Sequence, residues 1–305
     1  MNSSEKTKII GHYFLSVLHR YFYISRINSI LIENKQWFTI GILVLTINVI
    51  FLFVLSNLNL PMMIVYAEVG NQSLAGERVT FTSHDGVLLV GSYFTPKPRI
   101  NNSTPSVILL HMLGRDRNTW NDFAQDLSHR GYVVLSVDLR GHGESIRKDN
   151  STISYESFVP DDFKNMTSDV KAAKEFLIRE RNANPYKVSM IGASIGANIA
   201  LNYAASDHSI KSVILLSPGL DYMGITTLAP VTQYKNPIYI AAAEGDSQSA
   251  KDSRILCQKI MCHENIRILD KTNSHGTDML SNDTTRLELR NMIFSWLDST
   301  FEPED

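Results

Sequence analysis

The feature that most constrains the fold is a series of short apolar segments that alternate with longer stretches of helical periodicity. The predicted strands are Glu77–Thr82, Val87–Phe94, Ser106–His111, Tyr132–Asp138, Lys187–Ile191, Ser212–Ser217, Ile238–Ala243 and Ile266–Leu269. The predicted helices are Asn118–Arg130, Asp161–Arg181, Ile195–Ser206, Ala250–Ile260 and Asp283–Ser299. This alternation is typical of a mostly parallel, doubly wound sheet with helices on both faces. It predicts one α/β domain over residues 77–305, with its working site at the carboxyl ends of the strands.

The residues before this domain have a different character. Phe38–Leu55 is almost continuously apolar and carries no charged residue. A helix needs about 20 such residues to cross a bilayer. The sequence therefore predicts a cytoplasmic basic and amphipathic segment over residues 1–36, a transmembrane signal-anchor over residues 37–60 and a linker over residues 61–76. The lipid bilayer is an expected partner of residues 37–60.

Charge on the two sides of the apolar run predicts its orientation. The first 67 residues carry five basic and two acidic side chains, all before the run, against 24 basic and 29 acidic side chains in the remainder. The positive-inside rule places the N-terminus in the cytoplasm and the α/β domain outside. Val65-Tyr66-Ala67 resembles a cleavage site, and cleavage near Ala67 would release a secreted domain. The segment before the apolar run, residues 1–36, is much longer than the basic region of a signal peptide, which favours an uncleaved anchor.

Three further features bear on compartment and partners. N-x-[ST] sequons, which fit a glycosylated extracytoplasmic domain, occur at Asn71, Asn101, Asn102, Asn150, Asn165 and Asn282. Cys257 and Cys262 can form a disulfide only if the predicted helix ends between them, and two free thiols are the alternative. The formal net charge of −2 argues against a nucleic-acid binder. No protein partner is indicated.

The pentapeptide Gly192-Ala193-Ser194-Ile195-Gly196 joins a predicted strand to a predicted helix. This is G-x-S-x-G in the strand–turn–helix setting of a nucleophile elbow. The turn would lift the Ser194 hydroxyl above the sheet at a helix N-terminus, where partial positive charge favours a developing oxyanion. A glycine-rich phosphate loop is the alternative, but the lysine of a P-loop is missing. Ser194 is the candidate nucleophile.

A serine at its ordinary pKa needs a base and an orienting acid. His275 and Asp246 follow two later strands, and the chain order Ser194, Asp246, His275 fits this architecture. His275 is the candidate general base and Asp246 the candidate acid that fixes its tautomer, with Glu244 and Asp221 as alternative acids. The candidate oxyanion-hole donors, both main-chain N–H groups, belong to Leu113 and Ile195.

These motifs resemble the α/β-hydrolase superfamily from about Glu77 to the last helix. Ser106–Gly114 is similar to its strand and His-Gly-x-Gly oxyanion loop, Asp138–Ser145 to its D-x-R-G-H-G-x-S segment and Gly192–Gly196 to its elbow. Ser217–Tyr222 and His275-Gly276-Thr277 resemble small esterases related to dienelactone hydrolase. The resemblance implies a small-molecule ester substrate and no metal or organic cofactor.

One departure concerns the oxyanion loop, where Met112 stands at a position usually held by glycine. Glycine adopts conformations that methionine cannot, so the geometry of the loop is open to question. The resemblance also implies that His142 braces its own loop and takes no part in catalysis.

The connection between Ser217 and Pro237 has 19 residues, too few for the helical lid that many superfamily members insert there. An open site and a small or exposed substrate are expected. Residues 150–160 are a candidate rim. Tyr222, Met223 and Tyr234 are candidate pocket residues, with surface packing as the alternative for each. The leading hypothesis is a membrane-anchored serine hydrolase that cleaves esters, thioesters or amides. A non-catalytic binding protein on the same fold, or cofactor-free haloperoxidase-type chemistry, are the alternatives.

Overall fold

The computed structural model describes residues 76–96, 104–262, 264–281 and 285–301. These residues belong to the second of two units into which the chain divides, residues 71–305. The predicted cytoplasmic segment, the predicted anchor over residues 37–60 and nearly all of the predicted linker lie outside the described residues. Of the helices within those four ranges, none combines the length and apolar character needed to cross a bilayer.

The described domain begins with three strands and the first helix. They are β1 (Glu77–Thr82), β2 (Val87–Phe94), β3 (Ser106–Leu110) and, after a 3-10 turn at Arg117–Trp120, α1 (Asn121–His129). The chain continues through β4 (Val133–Val137), the short strands β5 (Arg147–Lys148) and β6 (Ser151–Thr152), a 3-10 turn at Tyr155–Ser157, α2 (Pro160–Lys164) and α3 (Met166–Arg181).

The second half carries the elements that follow the elbow. They are β7 (Val188–Ala193), α4 (Ile195–Ser206), β8 (Ile210–Leu216), β9 (Asp221–Tyr222), β10 (Ile225–Thr226) and α5 (Leu228–Gln233). The final elements are β11 (Ile238–Ala243), α6 (Ser247–Ile260), β12 (Ile266–Leu269), a 3-10 turn at Gly276–Leu280 and α7 (Arg286–Phe301).

One sheet organises the domain, in the order β12-β11-β8-β7-β3-β4-β2-β5-β6, with β1 paired to β2. The strands from β12 to β4 are parallel, whereas β2 runs antiparallel to its neighbours. From β3 the chain moves to β4 on one side, and it later returns to β7 on the other side. The loops after β3 and β7 therefore leave in opposite directions and open a crevice, which is where ligands bind in such sheets.

Helices cover both faces of this sheet, as predicted. One face packs against α2 to α6 through buried side chains such as Met166, Val170 and Ile199. The other packs against α1 and α7, which bury Phe123, Leu127, Leu289, Ile293 and Leu297. The three α7 residues are four apart, so they form one apolar stripe. Each such side chain contributes about 1.5–3 kcal/mol of hydrophobic stabilisation, so the two layers hold the strand ends in fixed positions.

The predicted helix over Asp161–Arg181 is divided in the structure. It forms α2 and α3, with the break at Asn165. Phe163 and Met166 are buried on either side of the break, so the apolar pattern continues across it and gives no signal of an interruption. The short elements β5, β6, β9, β10 and α5 were not predicted either, because segments of two to six residues are too short to show a period.

The cysteines show where α6 ends. Cys257 lies in the last turn of α6, which stops at Ile260, and the chain then turns through Met261 at a φ of 53°. That turn brings Cys262 back within 5.0 Å of Cys257 (Cα to Cα), and the two residues form a disulfide. The helix therefore ends between the two cysteines, as the bridged alternative requires.

Candidate active site

Ser194 lies at the sharp turn between β7 and α4. Its φ of 55° and ψ of −122° define a backbone conformation that residues other than glycine rarely adopt. Such a conformation costs on the order of 1–3 kcal/mol and persists only where the surroundings impose it. Ser194 is 8% exposed, against 0% for Ala193 and 2% for Ile195, so it is more accessible than the residues on either side of it in this buried turn.

The two glycines that flank Ser194 are required by close backbone contacts. A Cβ on Gly192 would lie 2.2 Å from the carbonyl O of Gly196, and a Cβ on Gly196 would lie 2.5 Å from the carbonyl O of Leu110. No side chain fits at either distance. The second contact also brings the first turn of α4 against the end of β3, so the two predicted oxyanion-hole segments are neighbours.

His275 and Asp246 are in direct contact, as the sequence predicts. Nδ1 of His275 lies 2.6 Å from Oδ2 of Asp246. An ionised carboxylate only accepts hydrogen bonds, so Nδ1 carries the proton and Nε2 is left as the basic nitrogen. Asp246 precedes the first turn of α6, where a negative charge is favoured by the helix dipole.

The alternative acids are engaged elsewhere. Glu244 pairs with Arg254 on the surface, and Asp221 accepts a hydrogen bond from the N–H of Gly224 at 2.7 Å. The geometry therefore favours Asp246 as the partner of His275.

The His275 loop rests against the elbow. Gly276, at a φ of 55°, donates its N–H to Oγ of Ser217 at 2.9 Å. A Cβ on Gly276 would lie 3.2 Å from Cβ of Ala193, the residue before Ser194. The structure thus brings the segment of the candidate base against that of the candidate nucleophile, with no hydrogen bond between Ser194 Oγ and His275 Nε2. Such bonds are often long without substrate and tighten when it binds.

Met112 fits the oxyanion loop without backbone strain. The positive φ in this loop falls on Gly114, at 70°, and not on Met112. The Met112 side chain is buried, with its Sδ 2.3 Å from where a Cβ of Gly276 would lie, so it fills the space beneath the His275 loop. Within the described part of the chain, the N–H of Leu113 has no acceptor. The N–H of Ile195 opens α4 and lacks an intrahelical acceptor.

Two buried histidines brace this loop. His111 donates from Nδ1 to the carbonyl O of Met112 at 2.7 Å and accepts at Nε2 from the N–H of Leu139 at 3.0 Å. Burial lowers the pKa of His111 to about 4, so this histidine is neutral. Burial likewise lowers the pKa of His142 to about 4, and its ring stacks on that of Tyr155 at 4.1 Å. Both rings serve the scaffold.

The segment Asp138–Ser145 holds the oxyanion loop from behind. The Asp138 carboxylate accepts the N–H of Arg117 at 2.7 Å, pairs with the Arg117 guanidinium and accepts the N–H of Glu144 at 2.8 Å. Arg140 is similarly held by Asp169 and Asp85. These bonds tie the end of β4 to the turn after β3, so the motif supports the site without entering it.

The predicted rim and pocket residues are only partly brought together. Tyr155 borders the oxyanion loop, since its hydroxyl lies 3.1 Å from where a Cβ of Gly114 would be. Met223 lies in the turn between β9 and β10 and is 51% exposed. Tyr234 follows the packing alternative: its hydroxyl donates to the carbonyl O of Ile210 at the amino end of β8, away from the crevice.

Of the predicted pocket residues, Tyr222 lies beside the carboxyl end of β8, where Ser217 follows the strand. Its hydroxyl lies 3.2 Å from Oγ of Ser249 and 3.4 Å from the carbonyl O of Ser217. Burial raises the pKa of the Tyr222 hydroxyl. No role was predicted for Ser217 or Ser249. The Ser-Pro-Gly triplet at the end of β8 was the available signal for Ser217.

This geometry can be compared with known proteins. A family model described as serine aminopeptidase, S33, matches residues 101–289, a segment that includes Ser194, Asp246 and His275. The chain belongs to this family. It is therefore a member of the α/β-hydrolase superfamily, as its motifs indicate.

Curated relatives of this S33 family member match over part of their length. They include the uncharacterised protein PA2218 of Pseudomonas aeruginosa, 28% identical over 45% of this chain and 35% of its own. A polyketide transferase of Penicillium crustosum is 28% identical over 47% of this chain and 44% of its own. The protein YfhR of Salmonella typhimurium is 28% identical over 49% of this chain and 51% of its own. The match thus spans about half or less of each relative.

Solved structures share the fold of this S33 family member. An esterase of Pyrococcus furiosus superposes with a TM-score of 0.57 at 18% identity, over 74% of this chain and 93% of its own. The Pseudomonas aeruginosa protein superposes with a TM-score of 0.58 at 16% identity, over 73% of this chain and 93% of its own. At such identities the likeness concerns the fold alone.

Proposed function

We propose that this protein is a serine hydrolase that cleaves carboxylic esters through an acyl-Ser194 intermediate. The observation that carries the proposal is the conformation of Ser194, held at positive φ on the elbow, beside a loop in which His275 bonds to Asp246. A binding protein has no use for a strained serine next to an oriented histidine. Membership of a serine hydrolase family supports the same conclusion.

The mechanism assigns one task to each group. Ser194 Oγ attacks the ester carbonyl while His275 Nε2 takes its proton, and Asp246 stabilises the resulting imidazolium. The carbonyl oxygen, now negative, accepts hydrogen bonds from the N–H groups of Leu113 and Ile195. When the intermediate collapses, His275 returns the proton to the departing alcohol. Water then enters by the same route and releases the acid.

An open site favours short acyl chains. The whole connection between β8 and β11 is described, and it forms the β9–β10 hairpin and the six-residue helix α5. Both pack on neighbouring helices of the domain and form no extended lid over the crevice. Esters with short or exposed acyl groups are therefore the proposed substrates, while thioesters and amides share the same chemistry.

The test compares ester turnover by the full-length protein and its Ser194→Ala variant. The panel runs from acetyl to palmitoyl p-nitrophenyl esters and includes aminoacyl p-nitroanilides. We expect turnover of short esters, and a loss of at least about a thousandfold in Ser194→Ala, because the nucleophile is gone. Ser206→Ala, on the exposed end of the same helix α4, is the matched control and should keep full turnover. Full ester turnover by Ser194→Ala would contradict the proposal, and a preference for palmitoyl esters would contradict the open site.

We further propose that residues 37–60 anchor the hydrolase domain, residues 77–305, to the outer side of a membrane, with residues 1–36 in the cytoplasm and residues 61–76 as a linker. The Cys257–Cys262 disulfide supports this compartment, since disulfides persist mainly outside the cytosol. The sequon asparagines Asn150 and Asn165 are both exposed, as glycosylation requires.

Protease shaving tests this topology. Treatment of intact cells should release a fragment that begins near Glu68, because the linker would be the accessible segment. The fragment should take up no thiol-alkylating reagent after denaturation unless it is first reduced. Protection of the domain until the cells are permeabilised, or free thiols in the released fragment, would contradict the proposed location.

A further inference from the structure

The hydroxyl of Ser217 joins the end of β8 to the loop that carries the candidate base. Gly276, the residue after His275, donates its N–H to Oγ of Ser217 at 2.9 Å, although the two residues are 59 positions apart in the sequence. Ser217 is fully buried, so its hydroxyl does not touch a substrate in the crevice. Its hydrogen bond is an internal contact that lies one residue from the imidazole.

The main chain of the same turn is bonded to the other two catalytic segments. The N–H of Ser194 donates to the carbonyl O of Leu216 at 2.8 Å. The N–H of Ser217 donates to the carbonyl O of Ala241 at 2.7 Å, and Ala241 lies on β11, the strand that leads to Asp246. The end of β8 therefore makes hydrogen bonds to the segments of the nucleophile, the acid and the base.

The position of the imidazole depends on a bond on each side of it. Nδ1 of His275 lies 2.6 Å from Oδ2 of Asp246, but one hydrogen bond fixes one atom of the ring and allows the ring to turn about it. The bond from Gly276 to Ser217 fixes the main chain next to the ring. Together the two bonds determine where Nε2 lies relative to Oγ of Ser194.

We propose that Ser217 is a positioning residue, which places His275 for proton transfer through the hydrogen bond from Gly276. The inference rests on the proposed acyl-Ser194 mechanism. His275 accepts and returns a proton in both acylation and deacylation, so the same bond serves both steps. A displacement of about 1 Å can cost about a hundredfold in rate. Because Ser217 does not touch the substrate, its loss should lower kcat and leave KM nearly unchanged.

Two substitutions in the full-length protein remove this hydroxyl with different effects on the backbone. Ser217→Ala keeps the Cβ at a φ of 49°. Ser217→Gly relieves that conformation, which glycine adopts without strain, so it should melt at a higher temperature than Ser217→Ala. With p-nitrophenyl acetate we expect kcat to fall about ten- to a hundredfold in both variants, with KM within about twofold of the wild type.

Ser212→Ala is the matched control on the same strand. Oγ of Ser212 lies 2.6 Å from Oγ of Ser189, and both residues are fully buried. The variant loses a buried hydroxyl and its hydrogen bond near the amino end of β8, but no contact with the His275 loop. It should keep wild-type kcat even if its melting temperature falls. An equal loss of kcat in Ser212→Ala would overturn the inference, because a general loosening of β8 would then explain the effect.

A double-mutant cycle tests whether Ser217 acts through the imidazole. In the His275→Ala background, Ser217→Ala should cause no further loss of residual ester cleavage, because the group that it positions is gone. The same fold loss in both backgrounds would overturn the inference, as would wild-type kcat in both Ser217 variants. Full turnover by His275→Ala, or wild-type protein that forms no acyl-enzyme, would instead contradict the proposed function, and the inference with it.

Discussion

Single residues in unusual backbone conformations are concentrated around the crevice. Ser194 and Ser217 follow the neighbouring strands β7 and β8, and both have positive φ, 55° and 49°. Each conformation costs on the order of 1–3 kcal/mol. Ser194 uses it to present its hydroxyl, and Ser217 uses it to accept the N–H of Gly276. The strained residues thus lie where the candidate site is formed, at Ser194, and where the His275 loop is held, at Ser217.

The buried histidine behind the oxyanion loop makes stability depend on pH. Burial lowers the pKa of His111 from 6.5 to about 4. Between these values the unfolded chain binds a proton that the native state excludes, so stability is lost as the pH falls through this window. The slope from one such group approaches about 1.4 kcal/mol per pH unit.

The His111→Gln variant isolates this contribution. Its amide can replace both hydrogen bonds but does not titrate, so we expect a smaller loss of melting temperature between neutral pH and about pH 5 than in the wild type. The comparison is needed because Asp169, whose pKa burial raises to about 6, gives a slope of opposite sign. If the melting temperature falls by the same amount with pH in the variant and the wild type, His111 is not the source of the pH dependence.

Among the helices and strands, the contact between α4 and β3 would set the geometry of the proposed oxyanion hole. This contact depends on Gly196, where a Cβ would lie 2.5 Å from the carbonyl O of Leu110 and 2.6 Å from that of His111. Both atoms belong to the main chain, so the clash is relieved only if α4 moves away from the strand. Such a movement would separate the N–H groups of Ile195 and Leu113.

We therefore expect Gly196→Ala to cost about 1–3 kcal/mol of stability and to reduce ester turnover by at least tenfold. Thermal melts and turnover measurements check the two effects. Gly131→Ala is the matched control: its φ of 98° makes an added Cβ cost stability there too, but the Cβ meets nothing within 4 Å and lies outside the α4–β3 contact, so turnover should be unchanged. Wild-type turnover in Gly196→Ala would mean that the spacing of α4 and β3 does not control the reaction.

Elements marked by a pattern within their own residues could be predicted from the sequence. The strands from β3 to β12 that form the parallel sheet show continuous apolar runs, and polar residues at their carboxyl ends predicted the contact between His275 and Asp246. The end of α6 gave no such signal, because Met261 takes a left-handed conformation usually adopted by glycine. The disulfide could therefore not be chosen over two thiols. The position of the Tyr222 hydroxyl beside Ser217 and Ser249 depends on the packing of the chain after β8 against α4 and α6, which no local pattern encodes.

Across the whole domain, the two segments proposed to form the oxyanion hole flank the point where the chain reverses its direction along the sheet. Loops after β3 and β7 diverge there, and the loops after β8, β11 and β12 add Tyr222, Asp246 and His275. The disulfide lies at the far end of α6, whose N-terminus carries Asp246. The architecture thus gathers five loops at one edge of the sheet. The proposed function requires Ser194, in one of these loops, to be reactive.

The most direct measurement is the mass of the full-length protein after reaction with a fluorophosphonate, followed by peptide mapping of the adduct. We expect one phosphonyl group per chain, located on Ser194, because phosphonylation requires a serine activated by its base and an oxyanion hole for the new P–O⁻. The Ser194→Ala variant should remain unmodified. An unlabelled wild-type protein, or an adduct on a different serine, would show that the arrangement around Ser194 is not a working hydrolase site.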